Sequence, residues 1–229
     1  MEIEKMITPR FRKILELIPN CNTVADIGTD HAYIPVYLVN KGEAKKAIAM
    51  DLREGPLKRA EATVVKYNAK EKTELRLSDG LEKLLPDEAD VIVIAGMGGL
   101  LINEILEKNA KKHKNALFVL QPMTAEVEVR KYLEDNGFVI VDERLAREDN
   151  KIYQVMSVRF GNMKIENEVN YHLGIKLFEN NDENLEYAIN KLIKKYEVIL
   201  QGLKTAKNAD NEKADYAKMM IEELGKIRN

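Results

Sequence analysis

The chain has 229 residues and is 45% hydrophobic, enough for one α/β core with a small appendage. Its 36 basic and 38 acidic side chains leave a formal charge of -2, which excludes a polybasic, histone-like binder but not a local basic patch. A lone cysteine, Cys21, excludes an internal disulfide, and no Cys/His spacing suits zinc, so no metal is expected. Met1–Lys5 does not read as a signal peptide, and the most apolar run, Val91 to Ile102, is too short and too glycine-rich to span a bilayer. A soluble, cytoplasmic protein is expected.

The pattern opens with an amphipathic helix carrying Phe11, Ile14, Leu15 and Ile18 on one face, stopped by Pro19-Asn20. Short apolar runs then alternate with helical patterns. Strands are predicted at Val24–Ile27, Ala47–Met50, Leu75–Leu77, Val91–Ala95 and Ala116–Leu120, with helices near 35–41, 54–68, 100–109 and 125–136. Continuous apolar strands separated by helices predict a parallel sheet covered on both faces. Phe138–Leu145 and Lys151–Phe160 follow each other without a helix, which suits an antiparallel addition at the sheet edge.

After Gly161 the character changes. Asn180–Glu183 is placed to cap a long helix with a stripe of Leu185, Ala188, Leu192, Ile199 and Leu203, with Lys195 or Tyr196 at the intervening position. A turn at 208–211 leads to a second stripe, Ala214, Ala217, Ile221 and Leu224. Two such stripes predict an antiparallel helical hairpin, giving domains of 1–160 and 161–229.

In an open parallel sheet, ligands bind beyond the carboxyl ends of the strands. Each predicted strand here ends in glycine or in an acidic or amide residue. The first ends Asp26-Ile27-Gly28-Thr29-Asp30-His31, where Gly28 allows a sharp turn. Asp30 stands where a dinucleotide-binding loop has its second glycine, and its charge would repel a pyrophosphate but not a sulfonium cation. The competing reading of Asp30 is a helix cap. Asp51, roughly 20 residues on, is placed to grip a ribose, or else pairs with Arg53. Asp79-Gly80 ends the third strand, able to meet an adenine or to form a plain Asx-turn. Ala95-Gly96-Met97-Gly98-Gly99 reads as a loop where backbone comes close to a ligand, without the Lys-Ser/Thr of a phosphate loop.

Together, Asp26 to Pro35, Asp51 with Gly55-Pro56-Leu57, Ser78-Asp79-Gly80, Ala95 to Gly99 and Gln121-Pro122 resemble the bacterial tRNA (adenine-N1)-methyltransferase TrmK family. The resemblance implies a class I Rossmann-like methyltransferase sheet with a C-terminal helical hairpin, using S-adenosyl-L-methionine to methylate N1 of tRNA adenine 22. It places Asp26, Gly28 and Thr29 at the methionine end of the donor. Asp51 and Leu52 fall at the ribose, Asp79 and Gly80 at the adenine, and Ala95, Gly96, Met97 and Gly98 beside the methyl.

Asp30, His31 and Tyr33 are the candidates for contacting the target base, with structural roles for His31 and Tyr33 as the alternatives. Arg10, Arg12 and Lys13 on the opening helix are the favoured candidate phosphate contacts, with Arg53, Lys58 and Arg59 after the second strand and Lys108, Lys111, Lys112 and Lys114 after the glycine run as further ones. Lys191, Lys194 and Lys195 offer another group. A monomer or weak dimer is expected. The rivals are a methyltransferase of another small-molecule or protein substrate, and a non-catalytic RNA-binding or adaptor protein.

Overall fold

The computed structural model describes residues 2–205 and 210–228, and the chain divides into two compact units, residues 1–164 and 165–229. In the first unit the strands are β1 (Cys21–Ile27), β2 (Ala44–Asp51), β3 (Thr73–Leu77), β4 (Val91–Gly98), β5 (Leu117–Thr124), β6 (Phe138–Glu148) and β7 (Lys151–Phe160). The helices are α1 (Pro9–Glu16), α2 (Tyr33–Lys41), α3 (Glu54–Lys66), α4 (Gly99–Asn109) and α5 (Glu126–Asp135). The second unit holds α6 (Glu168–His172), α7 (Ile175–Glu179), α8 (Leu185–Thr205) and α9 (Asn211–Arg228).

The seven strands form one sheet in the order β3-β2-β1-β4-β5-β7-β6. β1 to β5 pair in parallel, while β7 runs antiparallel to both β5 and β6. This is the class I, Rossmann-like arrangement that the resemblance implies. Strand order reverses between β1 and β4, so a crevice forms at their carboxyl ends.

Side chains alternate across the sheet, and both faces are buried, which is why the strands read as unbroken apolar runs. Ala25, Ile27, Ile92 and Ile94 pack with Ile102, Leu106, Val129 and Leu133 of α4 and α5. Val24, Val91 and Val93 pack with Ile14 of α1, Val36 and Leu38 of α2, and Ala60 and Val64 of α3. α1 begins at a Thr8 cap with Pro9 in its first turn and ends at Leu17, ahead of the Pro19 expected to stop it. It packs on β6 and β7.

One buried polar cluster interrupts this core. Arg130 of α5, fully buried, donates through Nη2 to Glu143 Oε1 (2.6 Å) and to Gln154 Oε1 (2.6 Å) on β6 and β7. Burial of an arginine is tolerable only with such charge-assisted partners.

In the second unit α8 packs against α9, as a hairpin requires. Its buried stripe matches the predicted one at Ala188 and Tyr196 but not elsewhere. Ala188, Ile189, Ile193 and Tyr196 face inward, whereas Ile199 is exposed; on α9 the buried residues are Ala217, Met220 and Leu224. Hydrogen bonds fix that register: Tyr216 donates to Glu168 Oε1 (2.9 Å), and His172 Nε2 lies 2.9 Å from the Tyr216 hydroxyl and 3.2 Å from that of Tyr196. The predicted turn at 208–211 falls mainly outside the described residues; at its end the Asp210 carboxylate caps α9 by accepting from Lys213 N (3.1 Å).

Candidate active site

The turn after β1 is tied down by its neighbour strand. Gly28 and Thr29 both donate backbone N–H to Met50 O, at 2.8 and 2.9 Å. Gly28 sits at φ +75°, in the left-handed region that disfavours a side chain. The Thr29 hydroxyl accepts from Ala32 N (3.1 Å), and Ala32 itself enters α2 at φ 53° without a side-chain cap. Asp30 is therefore not the cap of α2. Its carboxylate instead accepts from Nε (2.8 Å) and Nη2 of Arg59 on α3. His31 Nε2 lies 3.6 Å from the other Asp30 oxygen, and the His31 ring stacks on Tyr33 with centroids 5.1 Å apart and 6° between planes.

Asp26 is buried at the carboxyl end of β1, and no cation pairs with it among the described residues. Burial pushes its carboxyl up to about 6, opposed by a hydrogen bond from Thr29 and reinforced by the charge of Asp51. A buried carboxylate held next to a second one is an attractor for a cation.

Asp51, at the end of β2, accepts from Arg53 N (2.8 Å), while the exposed Arg53 guanidinium stays 4.0 Å away. Leu52 is 62% exposed beside it. Ser78 N donates to Asp51 O (2.9 Å), bringing the β3 turn alongside. That turn is organised by the Ser78 hydroxyl, which donates to Gly80 O (3.1 Å) and accepts from Lys83 N (3.2 Å). The Asp79 carboxylate is exposed and takes no part in it, so the plain Asx-turn is not what forms.

The Ala95–Gly98 segment is not a loop: β4 runs through Gly98 and stays paired with β5. The pairing shifts register between Ala95 and Met97, leaving Gly96 as the extra residue, at φ +76°. Its N–H donates to Gln121 Oε1 (3.1 Å) rather than to the ladder. Glycines that looked like a loop are thus a bulged strand end.

These elements enclose a cavity of about 410 Å³. Asp26, Gly28, Thr29, Asp30, His31, Tyr33, Ala95 and Gly96 line it, together with Arg10, Phe11 and Met123. Asp51, Leu52, Asp79 and Gly80 lie on the neighbouring strand ends outside its wall, and Met97 and Gly98 follow Gly96 along β4. The expected phosphate contacts separate. Arg10 is in the cavity wall, Arg12 lines a different hollow with Glu4, Glu16 and Glu43, and Lys13 bridges Glu16 at 3.2 Å. Arg53 is 79% exposed at its side chain.

Sequence reasoning missed Arg59 as the partner of Asp30, Met123 in the wall, and the bonding of Gln121. The last left a signal: an amide directly after Leu117-Phe118-Val119-Leu120 must be satisfied inside the core. Among the described residues no cluster of His, Cys, Asp and Glu is arranged to hold a metal, and no helix is long and apolar enough to cross a membrane.

Residues 7–156 match the model of a methyltransferase domain family. The tRNA (adenine(22)-N(1))-methyltransferase of Bacillus subtilis is 39% identical over 160 residues, covering 69% of this chain and 67% of that protein. Among solved structures, Streptococcus pneumoniae Sp1610 in complex with S-adenosyl-L-methionine superposes with a TM-score of 0.86 at 31% identity, covering 98% of this chain and all of the other. TrmK of M. capricolum, in complex with S-adenosyl-homocysteine, gives 0.80 at 26% identity over 96% of each chain. With its sheet order, its donor-side turns and these relatives in agreement, the chain belongs to the tRNA (adenine(22)-N(1))-methyltransferase family of methyltransferases.

Proposed function

We propose that this protein transfers the methyl group of S-adenosyl-L-methionine to N1 of adenine 22 in tRNA. The observation that carries the reading is the single cavity whose wall joins buried Asp26, the Gly28 turn and the Gly96 bulge to Arg10, His31 and Tyr33. The residues present fit the donor. Asp26 supplies a buried carboxylate for an ammonium and Asp51, at 4.0 Å from the exposed Arg53 guanidinium, one for a ribose, and the glycine backbone at 28 and 96 leaves room beside them. When bound, the donor supplies a methyl group on a positively charged sulfur.

Adenine N1 carries an in-plane lone pair, so the chain need not generate a nucleophile. Transfer would leave the donor's positive charge on the base. The protein's work is to unstack the base, aim N1 and exclude water. The stacked His31–Tyr33 pair offers a flat surface for a flipped base. The Asp30 carboxylate, held in place by Arg59, favours the cation that develops on the base. Carboxylates at 26 and 30 on the cavity wall place negative potential on the path of that charge.

The same reading takes the helical domain from residue 161 onward, with Lys191, Lys194 and Lys195, as a second tRNA contact. It places the enzyme in the cytoplasm, working as a monomer or weak dimer without a metal. Methyl transfer from labelled donor is the test. Adenine-22 tRNA is expected to be labelled and the same tRNA with guanine 22 left blank. Equal labelling of both would reject the target, and labelling of neither would favour a protein or small-molecule substrate.

A further inference from the structure

We infer that Gln121 and Arg10 form a brace that positions the Gly96 bulge for methyl transfer, so that Arg10 acts on turnover and not only as a phosphate contact. The inference rests on the reading above and deepens it.

The Gly96 N–H is skipped by the β4–β5 ladder, and although the residue is exposed at the cavity wall, this donor is taken up by a buried side chain. That side chain is Gln121, with no exposed surface. Its Nε2 donates to Pro122 O at 2.6 Å, which fixes the amide orientation and turns Oε1 toward two donors. Those donors are Gly96 N (3.1 Å) and Arg10 Nη1 (3.2 Å). One neutral oxygen therefore ties the bulge to helix α1.

Arg10 is itself held from several sides. Its backbone N–H donates to Glu148 Oε1 (2.9 Å), Nη1 also reaches Met123 Sδ (2.9 Å), and its guanidinium lies 5.3 Å from the ring centroids of both Phe11 and Tyr153. Its Nε is buried without a hydrogen-bond partner. A residue meant only for phosphate would extend its whole fork into solvent. This one spends it inward, on the strand end that borders the cavity. Gln121, neutral and buried behind the cavity wall, links the Arg10 guanidinium to the bulge and transmits position rather than charge. A bulge displaced by an ångström would misalign the methyl with N1 while leaving the Asp26 and Asp51 side of the donor site intact.

The test compares Arg10→Met, Gln121→Met and the double variant with the wild type, at saturating tRNA and donor. Each single variant is expected to lose about 10- to 100-fold in kcat, with the dissociation constant of S-adenosyl-homocysteine within about threefold of wild type. The double variant is expected to be no slower than Gln121→Met, because both changes break the same brace. Amide exchange at Gly96 should quicken in Arg10→Met, a readout that needs no tRNA activity. The half-exposed Arg10 decides the matter if Gln121→Met melts early. Full kcat in Arg10→Met, with only KM for tRNA raised and its salt dependence reduced, would assign Arg10 to phosphate and overturn the brace, as would additive losses or unchanged Gly96 exchange. A wild type that binds S-adenosyl-homocysteine but leaves tRNA unmethylated would instead sink the substrate reading, and Gly96 exchange would still decide the brace.

Discussion

Replacing Asp26 with asparagine separates the stability of the fold from the demands of its site. The carboxyl is raised from its ordinary 3.8 to about 6, chiefly by burial. An acid whose folded value is raised stabilises the fold fully below the unfolded value, and that contribution is lost as pH rises through the folded one. Ionised Asp26 therefore costs about 3 kcal/mol at pH 7.5 relative to a neutral side chain. Asparagine keeps an acceptor for the Thr29 hydroxyl but adds a buried donor, which offsets part of the gain. A net stabilisation of about 1–2 kcal/mol is expected, a rise in Tm of a few degrees for a chain of this size.

The advantage should shrink as pH falls from 6 toward 4, where wild-type Asp26 is itself neutral. Donor affinity should move oppositely. In the wild type it falls about tenfold between pH 7 and pH 5 as Asp26 takes up a proton. In the variant it is weak and flat across that range. Thermal melting and calorimetry with S-adenosyl-homocysteine read both. An Asp26→Asn protein that melts below wild type at every pH, or binds the donor product equally well, would refute this reasoning.

Three further outcomes follow from the same geometry. Asp51→Ala should weaken binding of S-adenosyl-homocysteine by roughly 10- to 100-fold, the worth of charged hydrogen bonds to a ribose, while tRNA binding by filter retention changes little. Asp30→Ala should lower kcat at least about tenfold yet alter stability by no more than about 0.5 kcal/mol, because its pair with Arg59 is exposed; unchanged turnover would remove Asp30 from the chemistry. Arg130→Met should destabilise the sheet domain by about 3–5 kcal/mol in denaturant unfolding by taking the guanidinium away from buried Glu143, and adding Glu143→Leu should recover most of that loss.

The sheet was legible because burial on both faces makes each strand an apolar run, and because Phe138 to Phe160 contains no helical period. Strand ends were less so. Gly96, Gly98 and Gly99 carry loop-like composition, yet Gly96 is an extra residue in a bulge whose N–H is satisfied by a side chain 25 positions away. Local composition cannot show such a partner. The short helices α6 and α7 escaped for a related reason: five residues have little periodicity, and packing rather than propensity stabilises them. The shift of the α8 stripe from Ile199 to Ile189 and Ile193 follows the needs of the Tyr196, Tyr216 and His172 side chains, which lie far apart in sequence.

At the site, the residue types and their order along the sheet were readable, since glycine and carboxylate at successive strand ends carry their own chemical logic. Their pairings were not. Asp30 meets Arg59 across 29 positions, and Arg10 reaches the cavity only because α1 packs on β6 and β7, the last strands of the sheet domain. Arg12 and Lys13, two and three residues along the same helix, point elsewhere. Spacing on a helix separates faces, and tertiary docking decides which face meets the ligand.

The most direct test is a crystal structure of this chain with S-adenosyl-homocysteine. The account predicts the amino acid end of the ligand within hydrogen-bond reach of Asp26 and the Gly28 turn, both ribose hydroxyls on Asp51, and the sulfur facing the Gly96 bulge. A ligand bound elsewhere, or lying across the strand ends without touching either carboxylate, would contradict it.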